Sequence, residues 1–103
     1  MQIDKIRDES TDDFFKTILQ LESIEEGYAF FDDLLTLNEV KTMTQRYQVA
    51  KMLYEHKTYS EIEQATRAST ATISRVKRSV FDGNGMYDVL FKRVQQESEN
   101  ENK

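Results

Sequence analysis

Between Gln64 and Phe81 the sequence carries four cations, Arg67, Arg75, Lys77 and Arg78, and not one acid. Within that stretch stands Ser69-Thr70-Ala71-Thr72, a run of small and hydroxylic side chains. Guanidinium and ammonium groups donate to phosphate oxygens, and arginine also reaches guanine. Hydroxyls and a small methyl group contact base edges or the thymine methyl. The chemistry on offer is that of nucleic-acid binding, to be weighed against an ordinary solvated basic helix face. The surrounding charge does not forbid it. Residues 1–40 balance at −8, residues 41–81 at +5 and residues 82–103 at −2, within a net −5. Screening over about 10 Å hides the distant acids from a phosphate at the basic run.

Catalytic chemistry has far less to build on. The single histidine, His56, stands in the polar link Glu55-His56-Lys57, where a solvated imidazole is the simpler reading than a general base. Paired acids such as Glu25-Glu26 and Asp32-Asp33 have no histidine or cysteine partner, and solvated faces explain them. With no cysteine there is no disulfide framework and no thiolate metal site. Gly83-Asn84-Gly85 does not precede a phosphate-loop pattern. The expectation is a non-enzyme without metal or cofactor.

What must position the basic run is helical. The chain has no proline and three glycines, so few breakers interrupt it. Four sites fit the S/T-x-x-D/E capping box: Ser10–Asp13, Ser23–Glu26, Thr36–Glu39 and Thr58–Glu61. Apolar residues follow each at helical spacing. Phe14, Ile18 and Leu21 follow the first, and Ile24, Tyr28, Phe31 and Leu35 the second. After the third come Val40, Met43, Tyr47, Ala50 and Tyr54, flanked by Val49, Met52 and Leu53. Thr58 opens a short helix with Ile62 and Ala65 inward, and Ser69 caps the next, with Ile73, Val76 and Val80 inward. Asp82-Gly83-Asn84-Gly85 reads as a turn, and Tyr87, Leu90, Phe91 and Val94 as a last helix over 85–97. Residues 98–103, entered from Glu97, read as a frayed polar tail.

The pattern predicts an all-α chain of about six helices forming a single domain over 1–103. Residues 58–80 then make a short capped helix, a tight connection at Arg67–Ser69 and a second helix of about eleven residues. That is a helix-turn-helix, whose second helix enters the major groove of double-stranded DNA. With Ile73, Val76 and Val80 inward, the outward residues are Thr70, Ala71, Ser74, Arg75 and Arg78. Ser69, Thr70, Ala71, Ser74, Arg75, Lys77 and Arg78 are therefore the expected DNA contacts. The turn usually prefers glycine, and Arg67 or Ala68 must serve instead. A helical protein-interaction module, using the acidic N-terminal half, is the alternative from another class.

Hydrophobic residues make up 38% of the chain, enough for a core, yet the apolar faces of residues 10–57 are wider than so short a chain can hide. A second copy supplying the missing burial, a homodimer through residues 10–57, is the reading we prefer to a tight monomeric core. No apolar run reaches the roughly 18–20 residues of a membrane span. Met1 is followed by polar residues. A soluble, cytoplasmic protein is expected.

Three stretches carry a family resemblance: Leu34-Leu35-Thr36-Leu37-Asn38-Glu39, Gln45-Arg46-Tyr47-Gln48-Val49-Ala50, and Ala71-Thr72-Ile73-Ser74-Arg75. Together they resemble the Trp repressor family, in particular its YerC/YecD type of bacterial proteins, over roughly residues 12–95. The resemblance implies six helices in an intertwined dimer, the fourth and fifth forming the DNA-reading pair of a transcriptional regulator. It also implies a ligand pocket, in which Arg46 and Arg75 match the arginines that sandwich tryptophan, and Thr36, Thr72 and Ser79 its hydroxyl residues. An amino-acid-responsive sensor is accordingly a third reading. The chain departs from the family in three places. Val76 replaces the glycine that leaves room for the ligand, Glu63 stands where the family has a DNA-binding lysine, and the connection before Thr58 is one residue shorter. The branched Val76 side chain fills the ligand's room, so DNA binding without a tryptophan co-repressor is expected.

Overall fold

The computed structural model describes residues 1–102; Lys103, the last residue of the expected tail, lies outside the described residues. Six α-helices and one short 3-10 helix (Gln2–Ile6) make up the described residues, with no strand among them. In chain order the helices are α1 (Glu9–Ile18), α2 (Ile24–Leu34), α3 (Leu37–Tyr54), α4 (Tyr59–Thr66), α5 (Thr70–Asp82) and α6 (Met86–Glu101). None is long and apolar enough to cross a membrane.

Most of the helices begin where hydroxyl caps were expected. Ser23 Oγ accepts from the Glu26 N–H at 3.1 Å, and Glu26 reaches back one residue past the cap, to the Glu22 N–H. Thr36 and Glu39 close a reciprocal box, 3.1 Å and 2.9 Å, and Thr58 and Glu61 close another, 3.2 Å and 3.1 Å. These backbone donors, and then the threonine hydroxyls, hold the Glu39 and Glu61 carboxyls below the usual carboxylate range. The first helix differs from expectation. Asp8, not Ser10, caps α1, taking the Thr11 N–H at 2.8 Å. An ionised acceptor at a helix N-terminus satisfies both the orphan donor and the helix dipole, so Ser10 falls inside the first turn. The far end differs too. α6 runs to Glu101 rather than stopping at 97, since Gln and Glu sustain a helix well and Gln95 pairs with Glu99 at i,i+4.

The chain divides into two compact units, Met1–Val40 and the residues from Lys41 onward. In the first unit no residue is buried. Leu19, Ile24 and Tyr28 are each more than 70% exposed, although the stripes they belong to have helical spacing. Apolar faces thus stand open in the first unit's own helices.

The second unit holds the core: Val49, Ala50 and Leu53 of α3, Ile62 of α4, Ala68 of the connection, and Ile73 and Val76 of α5. Val49 and Leu53, expected as flanks of the α3 stripe, are central to it, while Met43 and Tyr47 remain 45% and 44% exposed. Ala65, expected inward with Ile62, is exposed. The short α4 turns one narrow face to the core, and Ile62 occupies it. Phe91 of α6 stacks among Tyr47, Tyr54 and Tyr87, with centroids 5.9, 4.8 and 5.8 Å away. The Tyr54 hydroxyl donates to Asp88 at 2.7 Å, and Lys92 pairs with Asp88 at 3.0 Å, tying α3 to α6. At the turn between α5 and α6, a Cβ on Gly83 would lie 2.3 Å from the Ser79 carbonyl oxygen, so only glycine fits.

Candidate nucleic-acid interface

Thr58 fixes the start of α4, and the connection to α5 is then specified residue by residue. Thr66 Oγ1 donates to the Ile62 carbonyl at 2.8 Å and accepts from the Ala68 N–H at 3.2 Å. Gln45 of α3 donates to the Thr66 carbonyl at 3.1 Å, so the end of α4 is tethered from below. Arg67 then takes the left-handed conformation (φ 61°, ψ 16°), its N–H still bonded to Glu63 O at 2.8 Å. This is the position where a glycine was expected, and an arginine occupies it. Ala68 is buried, where a larger side chain would separate the two helices. Ser69 caps α5, accepting from the Thr72 N–H at 3.2 Å. The result is a short helix, a three-residue turn and a thirteen-residue helix held on one core.

On α5, Ile73 and Val76 are buried and Val80 packs beside them, which turns the opposite face to solvent. Ser69, Thr70, Ala71, Arg75, Lys77 and Arg78 are exposed. Thr70, Ala71, Ser74, Arg75 and Arg78 share one side by helical spacing. Ser74 is half-buried, with its hydroxyl 3.4 Å from the Tyr59 hydroxyl of α4. Lys77 lies with its ammonium 5.8 Å above the Tyr59 ring, a cation–π contact that steadies a flexible side chain. Sequence reasoning did not single out Tyr59, whose partners lie fifteen and eighteen residues away.

A further contact crosses the turn. The Thr70 hydroxyl donates to a Glu63 carboxylate oxygen at 2.6 Å, joining α4 to the first residue of α5. This short, charge-assisted bond fixes the tip of the exposed helix.

A concavity of about 440 Å³ opens between α3, α5 and α6, lined by Thr42, Gln45, Arg46, Thr72, Arg75, Val76, Ser79 and Tyr87. It brings together Arg46, Thr72, Arg75 and Ser79. Thr42, Gln45 and Tyr87 join them; Thr42 and Gln45 stand close to Arg46 on α3, which was the available signal. Thr36 instead spends its hydroxyl on the cap of α3. Val76 is only 7% exposed and belongs to the core at the floor of this space.

Residues 9–95 match the family described as Trp repressor protein. The chain is 52% identical over 96 residues to the uncharacterized protein YerC of Bacillus subtilis (strain 168), covering 93% of this chain and 92% of that one. A Staphylococcus aureus crystal structure, solved as a candidate Trp repressor, superposes with a TM-score of 0.89 at 53% identity. That match covers 92% of this chain and 95% of the other. A TrpR-like protein from Eubacterium eligens ATCC 27750 superposes with a TM-score of 0.86 at 47% identity, covering 89% and 95%.

Proposed function

The chain belongs to the Trp repressor protein family, whose fold is that of a DNA-binding regulator and not of an enzyme, and from that premise we propose that it is a sequence-specific transcriptional regulator. In this reading it grips double-stranded DNA in the cytoplasm through α4 and α5. The observation that carries the proposal is the exposed side of α5, where Thr70, Ala71, Arg75 and Arg78 stand together with no acid on the helix before Asp82. The tethered turn holds this side in one orientation, so little ordering remains to be done on binding.

The functional unit is a homodimer. The exposed apolar side chains of α1 and α2 support this, because large contiguous apolar surfaces on a free monomer mark association sites. A two-fold pair presents two reading helices to half-sites about 34 Å apart. In this reading no tryptophan co-repressor is needed: Val76, where the family's glycine leaves room for the ligand, is a buried core residue whose branched side chain narrows the floor of the concavity between Arg46 and Arg75.

Selection from random duplexes followed by a salt titration of binding tests the proposal. The logarithm of the affinity should fall linearly with the logarithm of salt concentration, because phosphate contacts release counterions. Arg78→Ala and Lys77→Ala should weaken binding to every sequence, each flattening the salt slope by about 1. No enrichment of any duplex, with no salt dependence, would refute it.

A further inference from the structure

The Thr70 hydroxyl sits at the tip of the exposed helix with its proton already committed. A free threonine hydroxyl donates or accepts as its partner requires, and so reads either kind of base edge. A carboxylate has only lone pairs to offer, so in the 2.6 Å bond to Glu63 it is Thr70 that donates. What Thr70 can still present outward is a lone pair. The neighbouring hydroxyl is also committed: Ser69 donates to Thr72 Oγ1 at 3.1 Å while accepting the Thr72 N–H. Glu63's own second oxygen adds another acceptor beside Thr70.

From this geometry we infer that Glu63 is a specificity-determining residue: it makes Thr70 an acceptor-only reader, so the base that Thr70 contacts must carry an exocyclic amine. In the major groove those amines are adenine N6 and cytosine N4, while guanine and thymine present only acceptors on their edges. On the contacted strand the site therefore tolerates exchange of adenine with cytosine, which share the amine. It rejects guanine and thymine, where lone pairs would face lone pairs. The inference rests on the DNA-reading function proposed above.

Selected duplexes are compared for the wild type, Glu63→Gln and Thr70→Val, with helical content by circular dichroism as the folding control. The position whose preference Thr70→Val erases is the one Thr70 reads. There the wild type should sort amino from keto bases, with one net hydrogen bond's discrimination of roughly threefold to tenfold. Removing the exocyclic amine from that base should weaken wild-type binding by a similar factor and leave Thr70→Val unaffected. Glu63→Gln should lose most of the preference, because an amide can donate and so frees the hydroxyl to donate outward. It should also bind all sequences somewhat more tightly, having shed a negative charge near phosphate. A uniform gain in affinity with the preference intact would overturn the inference and make Glu63 a mere charge. So would a position sorting purines from pyrimidines. Wild-type protein that enriches no duplex at all would overturn the DNA-reading function itself, and the inference with it.

Discussion

Arg67 holds a left-handed backbone conformation at the hinge of the helix-turn-helix, φ 61° and ψ 16°, and its side chain is exposed. A side chain with a Cβ loses about 1–2 kcal/mol there, because the Cβ crowds the following carbonyl. Glycine avoids that contact, but its freer unfolded chain takes back about 0.4–1 kcal/mol. Arg67→Gly and Arg67→Ala both delete the same cation, so the difference between them isolates the backbone conformation. Glycine should be the more stable of the two by about 0.5–1 kcal/mol, the remainder of those two effects. For a chain this size that is roughly 3–6 °C in Tm. The assay is thermal unfolding of both variants at one matched protein concentration, since association would shift the midpoint. If the two melt within about 1 °C of each other, the left-handed conformation is not costing this turn what its dihedral angles imply. Contacts such as the Thr66 hydroxyl bond would then be setting the turn.

Light scattering at micromolar concentration should return twice the 12.1 kDa chain mass, and a 12.1 kDa species alone would reject the dimer. Calorimetry with L-tryptophan should show no saturable binding to the wild type, whereas Val76→Gly should open the floor of the concavity and gain it; wild-type binding that strengthens DNA affinity would reject this. The Tyr54–Asp88–Lys92 network predicts a pH dependence with two edges. The Tyr54 hydroxyl, and then Lys92, hold Asp88 below the usual carboxylate range, so its contribution is present above the unfolded carboxylate value and lost as pH falls through the lowered one. Asp88 raises both Tyr54 and Lys92, so their contributions are complete below their unfolded values and lost as pH climbs through the raised ones. The Tm gap between wild type and Asp88→Asn should therefore be widest from about pH 5 to 9 and close at both ends. A gap independent of pH would show that the network contributes only packing.

The helix starts were legible because capping is local chemistry. A hydroxyl finds the backbone N–H three residues on within one turn, as those of Ser23, Thr36, Thr58 and Ser69 do. Where two acceptors compete within a few residues, locality stops deciding; Asp8 displaced Ser10 because a charge binds an orphan N–H more strongly than a hydroxyl. The same limit applies at the far end of α6, where no breaker marks a stop and the helix continues through its glutamates.

Composition and periodicity by themselves determined that this chain is helical, that an acid-free run between residues 64 and 81 carries four of its cations, and that its helices carry wide apolar faces. They also placed the two helices of residues 58–80, from the caps Thr58 and Ser69 and, within the second helix, from the helical spacing of Ile73, Val76 and Val80. Only the tertiary structure decided which part of each face is core. The α3 stripe runs the length of the helix, yet burial is confined to Val49, Ala50 and Leu53, where α4 and α5 pack. It alone put an arginine in the left-handed position at the turn and closed the bond from Thr70 to Glu63. Those two residues stand seven apart, too far for a single helix turn to bring together. Their meeting depends on the direction in which α5 leaves the turn, and that direction comes from the dihedral angles of Arg67 and the burial of Ala68.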